Sequence, residues 1–294
     1  MEIFSLDGKN PFIEFKTSKF PDGQQSVTIT DFSPETNKAL IRIRLTNFRD
    51  LELLICATAA LKGLGIKDIS VFIPYFIGAR SDRKFEKGGS NYIKDVIAPI
   101  INLQGYSNVQ VLDPHSDVIE ACINNFNKTD NLQFTKMCIR DILGDNLTKN
   151  DITIISPDAG ALKKIYDIAS FNYNIEDVVV ATKHRDIKTG KILSTNVPLE
   201  DKHAKKTFVI FDDICDGGRT FVEIAKVVKE KYPENNIFLF VTHGIFSNSF
   251  LELSKYFTRV YSTNSYSDID CAEHSDYTVD GSFLKQFPVI YNTK

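Results

Sequence analysis

The chain has few cysteines and no long hydrophobic run. Its five cysteines, at positions 56, 122, 138, 215 and 271, form no CxxC pair and no spacing typical of a metal site. They are interpreted as reduced thiols of a cytoplasmic protein. No apolar run reaches the length of a membrane span, and the first residues show no signal-peptide pattern. The sequence therefore predicts a cytoplasmic protein without a membrane partner.

The chain also lacks a large excess of charge of either sign. Its 35 basic and 38 acidic residues give a net charge of -3, which provides no general basic field for nucleic acid. Short-period repeats and a low-complexity tail are absent as well. With 294 residues, 43% of them hydrophobic, the chain is long enough for two domains with well-buried cores.

The most informative segment extends from Thr207 to Lys231. The run Phe208 to Phe211 does not alternate with polar residues, which is typical of a fully buried strand. The apolar residues from Phe221 to Lys231 recur at helical spacing. Between strand and helix lie three aspartates, two glycines and a threonine. A glycine-rich turn before a helix directs backbone N–H groups toward a phosphate, and the carboxylates suit sugar hydroxyls or a hydrated metal ion. The segment predicts a ribose-phosphate site, because an acidic capping turn without a ligand would leave three neighbouring carboxylates to repel one another.

A basic cluster follows the predicted strand Asp68–Pro74. It contains Arg80, Asp82 and Arg83. In a doubly wound sheet, ligands bind at the carboxyl ends of the strands, and guanidinium groups pair with phosphate oxygens bidentately. The cluster predicts a polyphosphate site; the alternative is a solvated charged loop.

Two further predicted strands lead into residues suited to a metal ion. The strand Asn108–Leu112 leads to His115, and the strand Ile152–Ile155 leads to Asp158. A histidine between two aspartates can coordinate or orient a metal–triphosphate. A carboxylate before a tight turn can bind Mg2+. The alternatives are a loop histidine before a helix that starts at Ser116, and an ordinary capping aspartate.

The connection from Thr182 to Lys191 contains Lys183 and Arg185 and has no apolar face. We expect it to be mobile and to have no packing role. A mobile basic connection between two strands is a candidate lid that closes charge onto a reaction centre, and the alternative is a solvated hairpin loop.

Strands and helices alternate through both halves of the sequence. This predicts parallel sheets with right-handed crossovers in two α/β domains. Because Lys149 and Asn150 are polar and follow a helical pattern, the predicted domains are residues 1–148 and 149–294. Before the first domain's helices, Pro21-Asp22-Gly23 predicts a turn, since proline sets φ and glycine accepts a positive φ.

Taken in order, these segments resemble the motifs of the ribose-phosphate pyrophosphokinases, also called phosphoribosyl-pyrophosphate synthetases. The resemblance covers roughly residues 20 to 260. It implies two phosphoribosyltransferase-like domains, each a mainly parallel sheet flanked by helices. It also implies Mg2+-dependent transfer of the β,γ-diphosphoryl group of ATP to the C1 hydroxyl of ribose 5-phosphate, with release of AMP. The implied assembly is a homo-oligomer, a dimer or hexamer, in which a neighbour's Phe20–Gln24 hairpin contacts the adenine.

The resemblance assigns roles to residues that match its motifs. The implied ATP-binding residues are Phe20, Asp22, Gln24, Arg80, Asp82, Arg83 and His115; the catalytic residues are Lys183 and Arg185; the ribose-phosphate-binding residues are Asp212, Asp213, Asp216, Gly217, Gly218, Arg219 and Thr220; and the metal ligands are His115, Asp158, Asp212 and Asp213.

The chain departs from the family pattern in the ribose-phosphate loop. The family usually has Asp-Thr-Gly-Gly-Thr where this chain has Asp-Gly-Gly-Arg-Thr at 216–220. A hydroxyl is lost at Gly217, and Arg219 at the rim could pair with a second phosphate. An extended acceptor such as ADP-ribose, with a role in NAD metabolism, is therefore the alternative to ribose 5-phosphate.

Two other classes of protein remain as alternatives. A type I phosphoribosyltransferase has the acidic, glycine-containing loop, but it lacks a second domain with an arginine loop and a histidine segment. A non-catalytic regulatory homologue would be expected to lose the lid cations or the metal ligands, and this chain has both.

Overall fold

The computed structural model describes residues 2–5, 13–31, 37–144, 146–185, 192–248, 251–268 and 288–292. The chain forms two units, Met1–Asp130 and Asn131–Lys294. In the part of the chain described, no helix is both long and apolar enough to cross a membrane.

The first unit contains a parallel sheet, a separate hairpin and short helices. Its strands are β1 (Glu2–Ser5), β2 (Glu14–Lys19), β3 (Gln25–Asp31), β4 (Lys38–Arg42), β5 (Asp68–Ile73), β6 (Asn108–Leu112) and β7 (Phe126–Thr129). Its helices are α1 (Phe48–Gly63), α2 (Ala98–Leu103), which continues a π-helical turn at Tyr92–Ile97, and α3 (Val118–Cys122). The sheet has the order β1-β4-β5-β6-β7, and every neighbouring pair is parallel.

Local sequence explains how α1 begins. The side chain of Asn47 accepts hydrogen bonds from the backbone N–H groups of Arg49 and Asp50, and Asp50 accepts one from the backbone N–H of Asn47. This reciprocal cap satisfies N–H groups that have no partner inside the helix. The helix buries Leu51, Leu54 and other apolar residues against the sheet's core.

The hairpin β2–β3 turns where the Pro-Asp-Gly sequence predicts it. The strands are antiparallel, with Lys19 opposite Gln25, and Phe20 N–H donates to the carbonyl of Gln24 at 2.9 Å. Gly23 has a φ of +99°, a conformation that side chains disfavour. The backbone N–H of Gln25 donates to Glu52 of α1 at 3.0 Å, so the hairpin packs on that helix.

The second unit contains a six-stranded sheet and a second hairpin. Its strands are β8 (Ile152–Ser156), β9 (Val178–Val180), β10 (Thr182–Arg185), β11 (Ile192–Asn196), β12 (Thr207–Cys215), β13 (Ile237–Gly244), β14 (Arg259–Thr263) and β15 (Pro288–Asn292). Its helices are α4 (Leu132–Leu143), α5 (Leu162–Phe171), α6 (Arg219–Lys231) and α7 (Leu251–Ser254), with 3-10 turns at Lys149–Asp151 and Asp201–His203. The sheet order is β15-β14-β13-β12-β8-β9, parallel except for β15.

Strand β12 lies inside this sheet and is buried on both faces. Phe208 and Ile210 belong to one hydrophobic cluster, whereas Val209 and Phe211 belong to another. Successive side chains of a strand point to opposite faces, so an apolar run without alternation is what two covered faces require. The buried strand and the predicted fold class, two α/β units with mainly parallel sheets, are confirmed.

Helix α4 belongs to the second unit, so the two units divide at Asp130, earlier than the predicted boundary between residues 148 and 149. Cys138, Ile139 and Ile142 of α4 share a hydrophobic cluster with β8 and β12. The sequence-based boundary was placed at polar residues after this helix. Polar residues indicate an exposed segment, but they do not indicate which hydrophobic core the preceding helix joins. As a statement about separate domains, 1–148 and 149–294 stays a prediction.

The first part of the basic connection after β9 was expected to be mobile, but the structure places it in a β-hairpin. Thr182–Arg185 and Ile192–Asn196 pair as the antiparallel hairpin β10–β11, with Lys183 opposite Thr195. Residues 186–191 of the predicted lid lie outside the described residues.

Candidate active site

Two adjacent aspartates lie near the carboxyl end of β12. Asp212 is half-buried and Asp213 is buried, and the backbone N–H of Asp213 donates to Asp212 Oδ1 at 2.9 Å. Burial raises the pKa of Asp212 well above its usual range, and the neighbouring Asp213 carboxylate raises that pKa further. Carboxylates placed side by side in this way favour a bound cation or proton, and oxygen donors are the ligands that Mg2+ prefers.

A glycine turn connects these aspartates to α6. Gly218 has a φ of +74° in the left-handed region, and the helix begins at the next residue, Arg219. Side chains disfavour this backbone conformation, and an added Cβ at Gly218 would also lie 3.2 Å from Leu253 Cδ2. The first N–H groups of a helix have no partner within it. The turn therefore provides backbone donors for an anion, and the positive end of the helix dipole strengthens them.

The segment after β13 supports this turn. The backbone N–H groups of Ile245 and Phe246 donate to the carbonyl of Cys215 at 2.8 and 3.1 Å. Ser247 contacts Asp216 twice, from its N–H to the Asp216 carbonyl at 3.2 Å and from its hydroxyl to Asp216 Oδ1 at 2.6 Å. The sequence analysis assigned no role to Ser247. The signal that could have found it is its place directly after a strand parallel to β12.

A third carboxylate, Asp158, follows β8 on the same sheet edge, because β8 is the parallel neighbour of β12. The backbone N–H of Ala161 donates to Asp158 Oδ1 at 3.2 Å. Lys183 Nζ lies 3.4 Å from Asp158 Oδ2, and the Lys183 side chain is only 7% exposed, against 54% for Asp158. The expectation that Lys183 has no packing role is therefore wrong: its side chain is buried and paired. The side chain of Arg185 lies outside the described residues.

The other members of the predicted acceptor loop surround the turn. Arg219, the first residue of α6, is exposed, Thr220 is half-buried in the same helical turn, and Asp216 and Gly217 are half-buried. Lys164 of α5 attracts the charge of Asp212 and so partly opposes the rise in its pKa. The structure thus gathers the predicted ribose-phosphate residues on one edge of the second unit, together with a lysine that sequence reasoning did not include.

In the first unit, the predicted polyphosphate residues follow two neighbouring strands. Arg80 and Arg83 are exposed after β5, and His115 is exposed after β6. These strands are parallel neighbours, so both groups lie at one carboxyl-end edge, as expected for a ligand site. The carbonyl of Asp82 accepts a 2.5 Å hydrogen bond from Asn91 Nδ2, which ties this loop to the start of the helical segment at Tyr92–Ile97.

The predicted adenine-side residues occupy the tip of the β2–β3 hairpin. Asp22 Oδ1 accepts a hydrogen bond from the backbone N–H of Gln24 at 3.1 Å, so part of this carboxylate shapes the turn. Phe20 is 52% exposed. An aromatic ring exposed at a hairpin tip is available for stacking on a base.

The carboxylates of the second unit can supply only part of the coordination shell of a magnesium ion. Among residues that the structure describes, no three His, Cys, Asp or Glu side chains form a group that could hold a metal ion. Mg2+ usually binds one or two carboxylates and completes its shell with water and substrate phosphates. Asp212, Asp213 and Asp158 fit that partial role, because they are oxygen donors on one sheet edge.

A parallel sheet with an aspartate pair and a glycine turn at its edge, preceded by a second parallel α/β unit, defines the class of two-domain phosphoribosyltransferase-like proteins. No protein-family model matches the chain. The ribose-phosphate pyrophosphokinase of Thermosipho africanus is 28% identical over 239 residues, which are 81% of this chain and 72% of that protein. That of Maricaulis maris is 29% identical over 240 residues, which are 81% of this chain and 74% of that protein.

The fold has a close counterpart among solved structures. The crystal structure of phosphoribosylpyrophosphate synthetase from Mycobacterium smegmatis matches with a TM-score of 0.72 at 18% identity, covering 90% of this chain and 88% of that one. The chain is a divergent relative of the ribose-phosphate pyrophosphokinases. The predicted family and the diphosphokinase class of enzyme are confirmed.

Proposed function

We propose that the protein transfers the β,γ-diphosphoryl group of ATP to the C1 hydroxyl of ribose 5-phosphate, producing phosphoribosyl pyrophosphate and AMP for nucleotide biosynthesis. The observation that carries the proposal is the aspartate pair Asp212–Asp213, which is followed at once by the Gly217–Gly218 turn at the start of α6. Carboxylates for sugar hydroxyls and backbone donors for a phosphate are the two halves of a ribose-phosphate site.

The acceptor is held by the second unit. Asp212 and Asp213 bind the ribose 2- and 3-hydroxyls, directly or through Mg2+. The 5-phosphate lies on the N–H groups of the turn and on the hydroxyl of Thr220. This arrangement leaves the C1 hydroxyl uncovered, so the ribose is oriented before the donor arrives, and orientation removes much of the entropic barrier.

ATP is held by residues of the first unit. Arg80 and Arg83 pair with its phosphates, and His115 would help to orient the triphosphate and its bound Mg2+. The Phe20–Gln24 tip of a neighbouring chain contacts the adenine, together with Asp82 from the arginine loop. Bound Mg2+, near His115 and Asp158 on the ATP side and near Asp212 and Asp213 on the ribose side, would neutralise phosphate charge.

In the transfer, the C1 oxygen attacks the β-phosphorus of ATP, and the bond from that phosphorus to the α,β-bridging oxygen breaks. AMP leaves with the bridging oxygen, and the hydroxyl loses its proton. Negative charge spreads over the transferring group, so catalysis depends on positioning and neutralisation. Lys183 and Arg185 supply cations to that group, and Lys183 must leave Asp158 to do so.

The test is AMP release from ATP with ribose 5-phosphate and Mg2+, with reactions lacking the sugar phosphate as the control. We expect activity that excess chelator abolishes, and loss of it in Asp213→Ala. AMP release that persists in excess chelator, or no release that depends on ribose 5-phosphate or another ribose phosphate, would contradict the proposal. We also propose a cytoplasmic homo-oligomer with no nucleic acid or membrane partner.

The second candidate acceptor is an extended ribose phosphate such as ADP-ribose, which would place the protein in NAD metabolism. The observation that favours it is Arg219, exposed at the first position of α6, beside the turn where the 5-phosphate would bind. A guanidinium at this rim suits a second phosphate. If ADP-ribose is inert and Arg219→Ala leaves the kinetics with ribose 5-phosphate unchanged, this candidate is wrong.

A further inference from the structure

The space around Gly217, rather than its backbone conformation, explains why this position is a glycine. Its φ lies outside the left-handed region that favours glycine, unlike that of Gly218. An ideal Cβ at position 217 would lie 2.6 Å from Asn248 Nδ2 and 3.3 Å from its Cγ, and non-bonded atoms reach their optimal separation only near 3.5–4.0 Å. The Asn248 carboxamide therefore occupies the space that a side chain at position 217 would take.

The surrounding hydrogen bonds keep Asn248 in this place. Ser247, the preceding residue, is bonded to Asp216 through both its backbone and its hydroxyl. Asn248 Nδ2 itself approaches the carbonyl of Gly217 at 3.4 Å. A carboxamide nitrogen carries two hydrogens, so this long contact leaves a donor for a further acceptor. Asn248 is exposed, which makes that donor accessible to a ligand on the turn.

We propose that Asn248 is a further acceptor-binding residue, whose carboxamide donates a hydrogen bond to a phosphate oxygen of the acceptor in place of a side chain at position 217. The inference rests on the proposed function, since it assumes that the phosphate binds at the glycine turn. A hydrogen bond from a neutral donor to a charged oxygen is short and strong. The hydrogen-bond donor is thus Asn248, in the segment after β13. The turn itself has no side chain at position 217.

The test compares Asn248→Ala, Asn248→Asp, Gly217→Ala and the double variant Gly217→Ala/Asn248→Ala in steady-state kinetics. We expect Asn248→Ala to raise KM for ribose 5-phosphate about tenfold, the effect of losing one hydrogen bond to a charged group, with kcat and KM for ATP nearly unchanged. Asn248→Asp should raise that KM more, because a carboxylate repels the phosphate. The chain should stay folded in each variant, since the group displaced is the end of an exposed side chain.

The glycine variant tests the steric part of the proposal. A methyl group at position 217 would push the carboxamide away, so Gly217→Ala should raise KM as Asn248→Ala does, and the double variant should be no worse than either. The matched control is Asn236→Ala, an exposed asparagine before the opposite end of β13, which should have the wild-type KM.

The outcomes separate this inference from the function on which it rests. A wild-type protein that releases no AMP would contradict the proposed function. An active wild type with an unchanged KM in Asn248→Ala, or with effects of the two single variants that multiply in the double variant, would contradict only the role of Asn248.

Discussion

Asp212 is a carboxyl group whose ionised form the folded chain disfavours. Burial raises its pKa well above the usual range, and the charge of Asp213 acts in the same direction. A carboxyl whose pKa is raised on folding contributes stability that is fully present below the pKa of the unfolded chain. That stability is lost as the pH rises through the higher pKa of the folded state. Above the ordinary pKa of an aspartate, then, this carboxyl group opposes folding, and groups with such perturbed pKa values are frequent at binding and catalytic sites.

We predict that Asp212→Asn raises the free energy of unfolding at neutral pH by roughly 1 kcal/mol, the scale of an ordinary single substitution, while it abolishes turnover. Thermal unfolding measured across pH is the test. The gain over wild type should be largest at neutral pH and should vanish below the ordinary pKa of an aspartate, 3.8.

The control for this prediction is Asp167→Asn, which changes an exposed carboxylate on α5 and should show no comparable gain. A less stable Asp212→Asn variant at neutral pH would mean that Asp212 is satisfied in the free protein, and the argument from repulsion would fail.

Lys183 forms an ion pair with Asp158 in the chain without ligand. Their ion pair, at 3.4 Å, joins a buried lysine side chain to a carboxylate that is half exposed. Ion pairs with an exposed partner contribute little to stability. Breaking this pair in the proposed transfer step should therefore require little free energy.

We predict that Lys183→Ala and Arg185→Ala each lower kcat about 100-fold or more, the usual effect of removing a charge from a transition state, with ATP binding nearly unchanged. Lys226→Ala, which removes an exposed lysine paired with Glu223 on α6, is the control and should be as active as wild type. Near-normal turnover of both active-site variants would remove these cations from the mechanism.

At the scale of elements, a polar network joins the amino ends of β8 and β9 to the 3-10 turn at Asp201–His203. Asp177 accepts hydrogen bonds from the Thr153 hydroxyl at 2.6 Å and from the buried His203 ring at 3.4 Å. The backbone N–H of Glu200 donates to His203 Nδ1, so the ring proton lies on Nε2, toward Asp177. Burial raises the pKa of Asp177, but Thr153, His203 and Lys202 together lower it by more, and the net shift is downward.

We predict that Asp177→Asn lowers the free energy of unfolding at neutral pH by about 1.5–3 kcal/mol, the range for a hydrogen bond to a charged group. The sign follows from linkage: a carboxyl with a lowered folded pKa stabilises the fold above its unfolded pKa, and this stability is lost as the pH falls through the folded pKa. Denaturant unfolding at neutral and acid pH is the measurement, and the difference should shrink in acid.

The specific activity of folded Asp177→Asn should match wild type, since the network lies at the edge of the sheet opposite Asp212 and Asp158. A variant that is fully stable but inactive would show that this network acts on the site instead of on the fold.

At the scale of the whole molecule, the candidate residues for ATP and for the acceptor lie in different units. The ATP residues belong to Met1–Asp130 and the acceptor residues to Asn131–Lys294. The resemblance implies that the exposed Phe20 at the hairpin tip contacts the adenine of ATP bound to a neighbouring chain.

We predict that the protein is a homo-oligomer, at least a dimer, and that Phe20→Ala and Lys183→Ala complement each other. If the tip acts on a neighbour's ATP, mixed dimers of the two variants regain an intact site. The activity should be measured at ATP concentrations where Phe20→Ala is inactive. A random equal mixture of the two variants as dimers should then have about one quarter of wild-type activity. Sedimentation at assay concentration gives the assembly state. An active monomer, or mixtures no more active than their parts, would contradict the prediction.

Sequence alone determined the features that depend on neighbouring residues. The apolar run Phe208–Phe211 predicted a buried strand, and the spacing in Phe221–Lys231 predicted α6, because side-chain period distinguishes strands from helices. The Pro-Asp-Gly turn followed from allowed backbone angles. The order of the motifs was enough to identify the family, and the aspartate pair with its glycine turn was enough to predict the kind of ligand.

Only the tertiary structure decided which distant residues meet. Lys183 and Asp158 are 25 residues apart in sequence, and they meet because β8 and β9 are parallel neighbours. Asn248 reaches Gly217 across 31 residues because β13 lies beside β12. The order of strands in a sheet depends on how helices cover its faces and on which contacts repay the entropy of closing long loops. Hydrophobic periodicity along the chain does not determine the order of the strands. The contacts between distant residues of the site can therefore be identified only from the folded structure.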